Sequence, residues 1–172
     1  MNSIIESIKN RKSTYPAQFT GERIDDKVIE DLLELANWAP THKKTEPWRF
    51  KVLCDEGLSK LFEFQLKLYE TNTPLEKVSP IKQVKFKTLP QQVSHSIAIC
   101  MERDEKESVP EVEEVCAMAC AVQNMWLALE SYGISGYWSS GGGTFTKEMH
   151  KLLNLNENQK CFGFFHLGIA LP

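Results

Sequence analysis

A chain of 172 residues that is 42% hydrophobic can bury one real core, and it is short for two domains. Its 20 basic and 23 acidic side chains leave a formal net charge of -3, which excludes a global field that would recruit nucleic acid or an anionic membrane. No stretch approaches the roughly 20 apolar residues a membrane helix requires. Residues Met1 to Ser7 lack a charged leader followed by an apolar run, so a cytoplasmic protein is expected. The five cysteines are scattered through core-like segments instead of framing a small loop-rich fold, which fits a reducing compartment.

In chain order, Ser3 and Glu6 form a capping-box pattern, with Ile4, Ile5 and Ile8 on one helical face, so the spacing predicts a helix from 3 to about 12. Asp25 or Asp26 caps a second helix, in which Val28, Ile29, Leu32, Leu33 and Ala36 recur at helical spacing until Pro40 ends it. Trp48 to Leu53 alternates with period two and predicts a half-buried strand. Gly57 opens a third helix through Leu68. Residues 71–92 contain Pro74, Pro80 and Pro90 without clear periodicity and read as a mobile excursion or lid.

Ser96 to Met101 is an apolar run suited to an interior strand, and a charged turn follows it. Pro110 then begins the longest helix, roughly Glu111 to Tyr132. Its small, apolar middle predicts burial on most faces, either at the centre of the domain or in a subunit interface. Gly133 ends it. A strand over Ser135 to Ser140, a tract of three glycines, a helix from Thr146 to Leu153 and an aromatic central strand from Cys161 to Ala170 complete the chain. The expectation is a single α+β domain over 1–172, with a sheet of four or five strands.

Few residues carry chemistry on their own spacing. Arg11, Lys12 and Ser13 offer cations and a hydroxyl to a phosphate, or simply complement the negative end of the first helix. His42, His95, His150 and His166 have no ligand spacing among themselves or with the cysteines, and Cys116 and Cys120 sit four apart in an apolar helix, so no metal is assigned. No Gly-x-Gly-x-x-Gly follows a strand and no phosphate-binding P-loop is present. Gly141 to Gly143 mark either a turn or a close approach of backbone to a flat ligand.

Ala39-Pro40-Thr41-His42 with Pro47-Trp48-Arg49-Phe50 is similar to the Ala-Pro-x-x-x-x-x-x-Pro-Trp-x-Phe signature of the nitroreductase family. Arg11-Lys12-Ser13 resembles the family's Arg-x-Ser element, and Trp138-Ser139-Ser140-Gly141 its strand-end contact. The similarity runs over essentially the whole chain. It implies a nitroreductase-like fold with a central, mostly antiparallel mixed sheet flanked by helices, in a homodimer whose FMN sites lie in the subunit interface. It further implies an FMN-dependent oxidoreductase that takes hydride from NADH or NADPH and passes electrons by a ping-pong mechanism to a nitroaromatic, quinone or similar electron-poor acceptor.

By the same resemblance, Arg11, Lys12, Ser13, Trp38, His42, Trp138, Ser139, Ser140 and Gly141 contact FMN. Ala128, Leu129, Glu130, Ser131, Tyr132 and Gly133 match a stretch that contacts the nicotinamide cofactor in some relatives. No side chain is expected to act as a nucleophile, because flavin N5 carries the chemistry. Two departures stand out. Trp38 occupies a position where short relatives commonly carry arginine, and the basic ligand that many nitroreductases supply from a C-terminal arm has no counterpart in these 172 residues. Weaker phosphate anchoring leaves open an alternative, a non-catalytic flavin-binding or interaction protein that kept the fold.

Overall fold

A computed structural model describes residues 4–171. Four strands form one sheet: β1 (Trp48–Leu53), β2 (His95–Glu102), β3 (Ser135–Ser139) and β4 (Gln159–Gly168), in the order β1-β2-β4-β3 with every pairing antiparallel. Six α-helices accompany it among the described residues: α1 (Ile4–Asn10), α2 (Asp26–Ala36), α3 (Glu56–Asn72), α4 (Pro80–Gln92), α5 (Glu111–Ala128) and α6 (Lys147–Leu152). This is the α+β, nitroreductase-like architecture that the resemblance implies, without a parallel pair in the sheet.

The two faces of the sheet are covered by different helices. Ile97, Ile99, Phe165 and Leu167 pack against α2 and α5 through Leu32, Ala36, Met118, Val122 and Met125. The alternate residues Ala98, Cys100, Cys161 and Phe164 face Leu61, Met149 and Leu153 of α3 and the α6 region. A strand buried on both faces has no polar side to show, which is why β2 reads as a continuous apolar run. A satellite cluster of Phe19, Leu58, Phe62, Leu89 and Val93 seals α4 to the same side.

Local chemistry sets several boundaries. Asp25 begins α2 by accepting the Lys27 amide at 2.9 Å, and Thr146 does the same for α6 with the Met149 amide at 3.2 Å. His95, fully buried at the start of β2, ties that strand to α2: its Nε2–H donates to Asp26 at 3.1 Å, while Nδ1 accepts from the Ser94 hydroxyl, which in turn accepts the Ile24 amide. Burial holds this imidazole below its ordinary pKa, and a neutral ring suits both bonds. Glu114 of α5 is also buried. It accepts the Asp104 amide at 2.9 Å and lies 2.9 Å from Arg103 Nε, off line for a hydrogen bond, so the two form a buried ion pair that fixes the charged turn.

Three expectations change. Residues 71–92 are not irregular: after a 3-10 turn at Leu75–Lys77 they form α4, which Pro80 starts and whose last turn contains Pro90. Its periodicity is weak because Leu89 is its one buried residue. The long helix stops at Ala128 and continues as a 3-10 turn, Leu129–Tyr132, before Gly133 adopts the left-handed conformation at φ 67°. One side of α5 stays open within the chain, with Val112 64% exposed and Cys116 exposed. The capping box at Ser3 lies outside the described residues, and the three isoleucines of α1 are all more than half exposed.

Candidate functional site

The strand order makes β3 an edge, and the N-terminal segment uses part of that edge. Thr14 donates its amide to the Gly136 carbonyl at 3.1 Å, and the Tyr15 ring lies 4.8 Å from that of Tyr137. This draws residues 11–13 alongside the start of β3. The Arg11 guanidinium is held over the Trp126 indole, 4.6 Å from its centroid, and Trp126 Nε1 donates to the Lys12 carbonyl at 3.3 Å. Arg11 and Lys12 have no carboxylate partner among the described residues, so both charges are open to an anion.

Arg11 and Lys12 line a depression of about 230 Å³ together with Glu130, Gly133 and Ser135. Two of the expected elements therefore converge: the Arg-Lys pair and part of the 128–133 segment. Within that segment the roles split. Leu129 is 3% exposed and belongs to the core, Ala128 is half-buried, and the Tyr132 hydroxyl donates to Asp31 at 3.3 Å. Ser131 is exposed and outside the depression, as is Ser13.

Beyond Tyr137 the outer edge of β3 carries no partner strand among the described residues, and it leads into a second cavity of about 400 Å³. Ser139 and Gly141 to Gly143 form one wall; Gln65 and Tyr69 of α3, Lys82 and Lys85 of α4, and His166 of β4 contribute others. Gly142, at φ 64°, is seated on the Gln65 carboxamide so closely that a Cβ would lie 2.7 Å from it. Gly141 is open: a Cβ there would meet only Ser139 Oγ at 3.8 Å. The Trp138 indole turns to the core side and donates to the Phe162 carbonyl at 3.0 Å, so this residue offers the edge its backbone. Ser140 is exposed.

His166 is buried at the back of this cavity. Its ring stacks with Phe164 at 6.2 Å and 9°, and its Nδ1 lies 2.6 Å from Ser96 Oγ. Burial pushes its pKa down to about 3, so the ring is neutral, and Nδ1 shares a hydrogen bond with the serine hydroxyl. A cavity that is mostly apolar, with a few converging polar groups, has the makeup of a site for a flat organic ligand.

Trp38 and His42 lie elsewhere. Trp38 is 78% exposed, and His42 pairs through Nδ1 with Glu113 in the first turn of α5. Arg11 sits over Trp126 near the other end of that helix. Thirteen residues of α-helix span about 20 Å. The loop carrying His42 leads into β1, which lies across the sheet from β3 by three strand spacings, about 14 Å. One chain thus presents two halves of the expected constellation at opposite edges.

With this geometry established, comparison with known proteins places the chain. A model of the nitroreductase family matches residues 8–169. Among relatives, Bacillus subtilis YfhC, provisionally named an NAD(P)H nitroreductase, is 28% identical over 162 residues, which cover 94% of this chain and 81% of that protein. A nitroreductase-like family protein from Bacillus cereus superposes with a TM-score of 0.83 at 26% identity, covering all of this chain and 88% of that one. NfnB from Mycobacterium smegmatis, an FMN-dependent nitroreductase solved with NADPH, superposes at 0.75 with 16% identity, covering 97% and 87%. The chain belongs to the nitroreductase family.

Gln65, Tyr69, Lys82, Lys85, Tyr137 and His166 escape a reading by motif. The available signals were a glutamine inside the apolar stripe of α3 and the lysines of the segment expected to be a lid.

Proposed function

We propose that this protein is an FMN-dependent oxidoreductase of the cytoplasm that takes hydride from NADH or NADPH and delivers electrons by a ping-pong mechanism to a nitroaromatic, quinone or similar acceptor. The observation that carries the reading is the convergence on one sheet edge of Arg11 and Lys12, which have no carboxylate partner among the described residues, the outer backbone of β3 from Trp138 onward, and an adjoining apolar cavity. These match the three demands of FMN: cations for a phosphate, polar groups along a chain, and a slot for a flat ring. When bound, FMN supplies the electron transfer itself.

The residues of this chain then bind, orient and exclude water. Arg11 and Lys12 hold the phosphate by charge-assisted hydrogen bonds, with Ser13 as a further donor. Ser139, Ser140 and Gly141 present backbone and hydroxyl groups to the ring, and the open face at Gly141 lets it approach closely. Glu130, Gly133 and the neighbouring turn meet the nicotinamide cofactor. His42 and Trp38 complete the site on a second copy of the chain, because the span across the sheet prevents them from reaching the Arg11 depression of their own. The working form is therefore a homodimer with two shared FMN sites in its interface.

The test is a visible absorbance spectrum of the desalted protein before and after addition of FMN, followed by NADH and NADPH oxidation with a quinone or a nitroarene. Flavin bands with altered fine structure and acceptor-dependent turnover are expected. A protein that retains no FMN after saturation contradicts the assignment at Arg11, Ser13, His42 and Ser139.

A further inference from the structure

Helix α4 turns a mixed face to the cavity. Ile81 and Val84 are 81% and 59% exposed, while the face carrying Lys82, Lys85, Phe86 and Leu89 is turned to the 400 Å³ cavity. Both lysines are solvent-exposed where they line the cavity, while Leu89 is buried in its wall. Among the described residues no acidic side chain lines the cavity or pairs with either cation, and the Lys82 ammonium rests over the Tyr69 ring, 5.2 Å from its centroid. The remaining walls are apolar or neutral, including the uncharged His166 imidazole and the buried Gln65 amide.

We infer that Lys82 and Lys85 make this cavity selective for planar aromatic acceptors that carry a carboxylate or comparable anion, the aromatic body lying in the slot and the anion meeting α4 at its mouth. The inference rests on the proposed function, since it names the acceptor class of the same site. Position argues for the acceptor over the reductant's nucleotide phosphate: a small acceptor stacked on the flavin ring in this cavity carries its substituent close to that ring, whereas an adenosine phosphate lies a whole nucleotide away from the reacting atoms. Charge at the mouth also attracts an anionic acceptor at long range and raises its association rate at low salt.

The experiment is calorimetric binding of a charge-matched pair, 4-nitrobenzoate and 4-nitrobenzamide, to the FMN-loaded oxidised protein and to a Lys82→Met/Lys85→Met double variant, with FMN content of both measured by absorbance. The native protein is expected to bind the benzoate about tenfold more tightly, the effect of roughly one charge-assisted contact, and the variant to bind the two equally. Steady-state kcat/KM ratios for the same pair should follow, and the native preference should shrink as salt rises. Equal affinities in the native protein overturn the inference. So does a variant that loses FMN in parallel with the preference, which would assign the lysines to the flavin, or one that changes only the NADPH-to-NADH ratio, which would assign them to the reductant. Failure of the proposed function is a separate result, namely no retained FMN and no turnover with any acceptor, and the two nitro compounds can still be compared on the protein in that case.

Discussion

Buried imidazoles give this protein a defined response to acid. His166 has a folded pKa lowered to about 3 from an ordinary value of 6.5, because the ring is buried beside Phe62 and Phe164. Below pH 6.5 the unfolded chain takes up a proton there that the folded chain refuses. The stabilisation is therefore complete above 6.5 and is lost progressively as pH falls below it. His95 is shifted in the same direction. Urea midpoints should fall between pH 7 and pH 5, and His166→Gln should flatten that slope. At the same scale, Arg11→Ala should raise the FMN dissociation constant roughly thirtyfold, corresponding to about 2 kcal/mol for a charge-assisted phosphate contact. His42→Ala should act in the same direction with a smaller effect, and fluorescence titration with FMN reads both.

At the scale of elements, the end of β3 depends on a glycine in the strand beside it. Gly163 in β4 has φ 129°, and a Cβ there would stand 2.4 Å from the Ser139 carbonyl oxygen and 2.7 Å from Trp138 Nε1. Gly163→Ala therefore strains the backbone and pushes β3 off its partner exactly where the flavin edge is proposed to lie. Chemical denaturation should show a loss of about 2 kcal/mol or more, and FMN titration should show weakened binding beyond what the stability change explains. Legibility in the sequence varied at this scale for physical reasons. β2 was readable because both its faces are buried, and α2 because its Asp25 cap and apolar spacing agree. α4 was not, because a helix whose one buried residue is Leu89, with Phe86 partly buried beside it, has no amphipathic signature to find.

The whole molecule leaves apolar surface that a single chain does not use: Ile4, Ile5 and Ile8 of α1, Trp38, Val112 on the open side of α5, and Phe145. Together with the separation of Arg11 from His42 across the sheet, this surface supports the proposed dimer. Sedimentation velocity over a dilution series is expected to show a dimer, with FMN released as the dimer dissociates. A folded monomer that keeps its FMN would break the argument that the site is shared.

The sequence by itself determined the elements whose chemistry is local: capped helices, alternating strands, the Arg11-Lys12-Ser13 element and the Pro-Trp loop, together with the family they resemble. Each is written in neighbouring residues, so spacing and side-chain type were enough. The tertiary structure alone decided which of them meet. It set Arg11 and Lys12 beside β3 and held His42 at the opposite edge. It also assembled a cavity from Gln65, Lys82, Tyr137, Ser139 and His166, which come from four elements. Contacts between residues that far apart in the chain are fixed by sheet order and helix packing, and no local pattern encodes them.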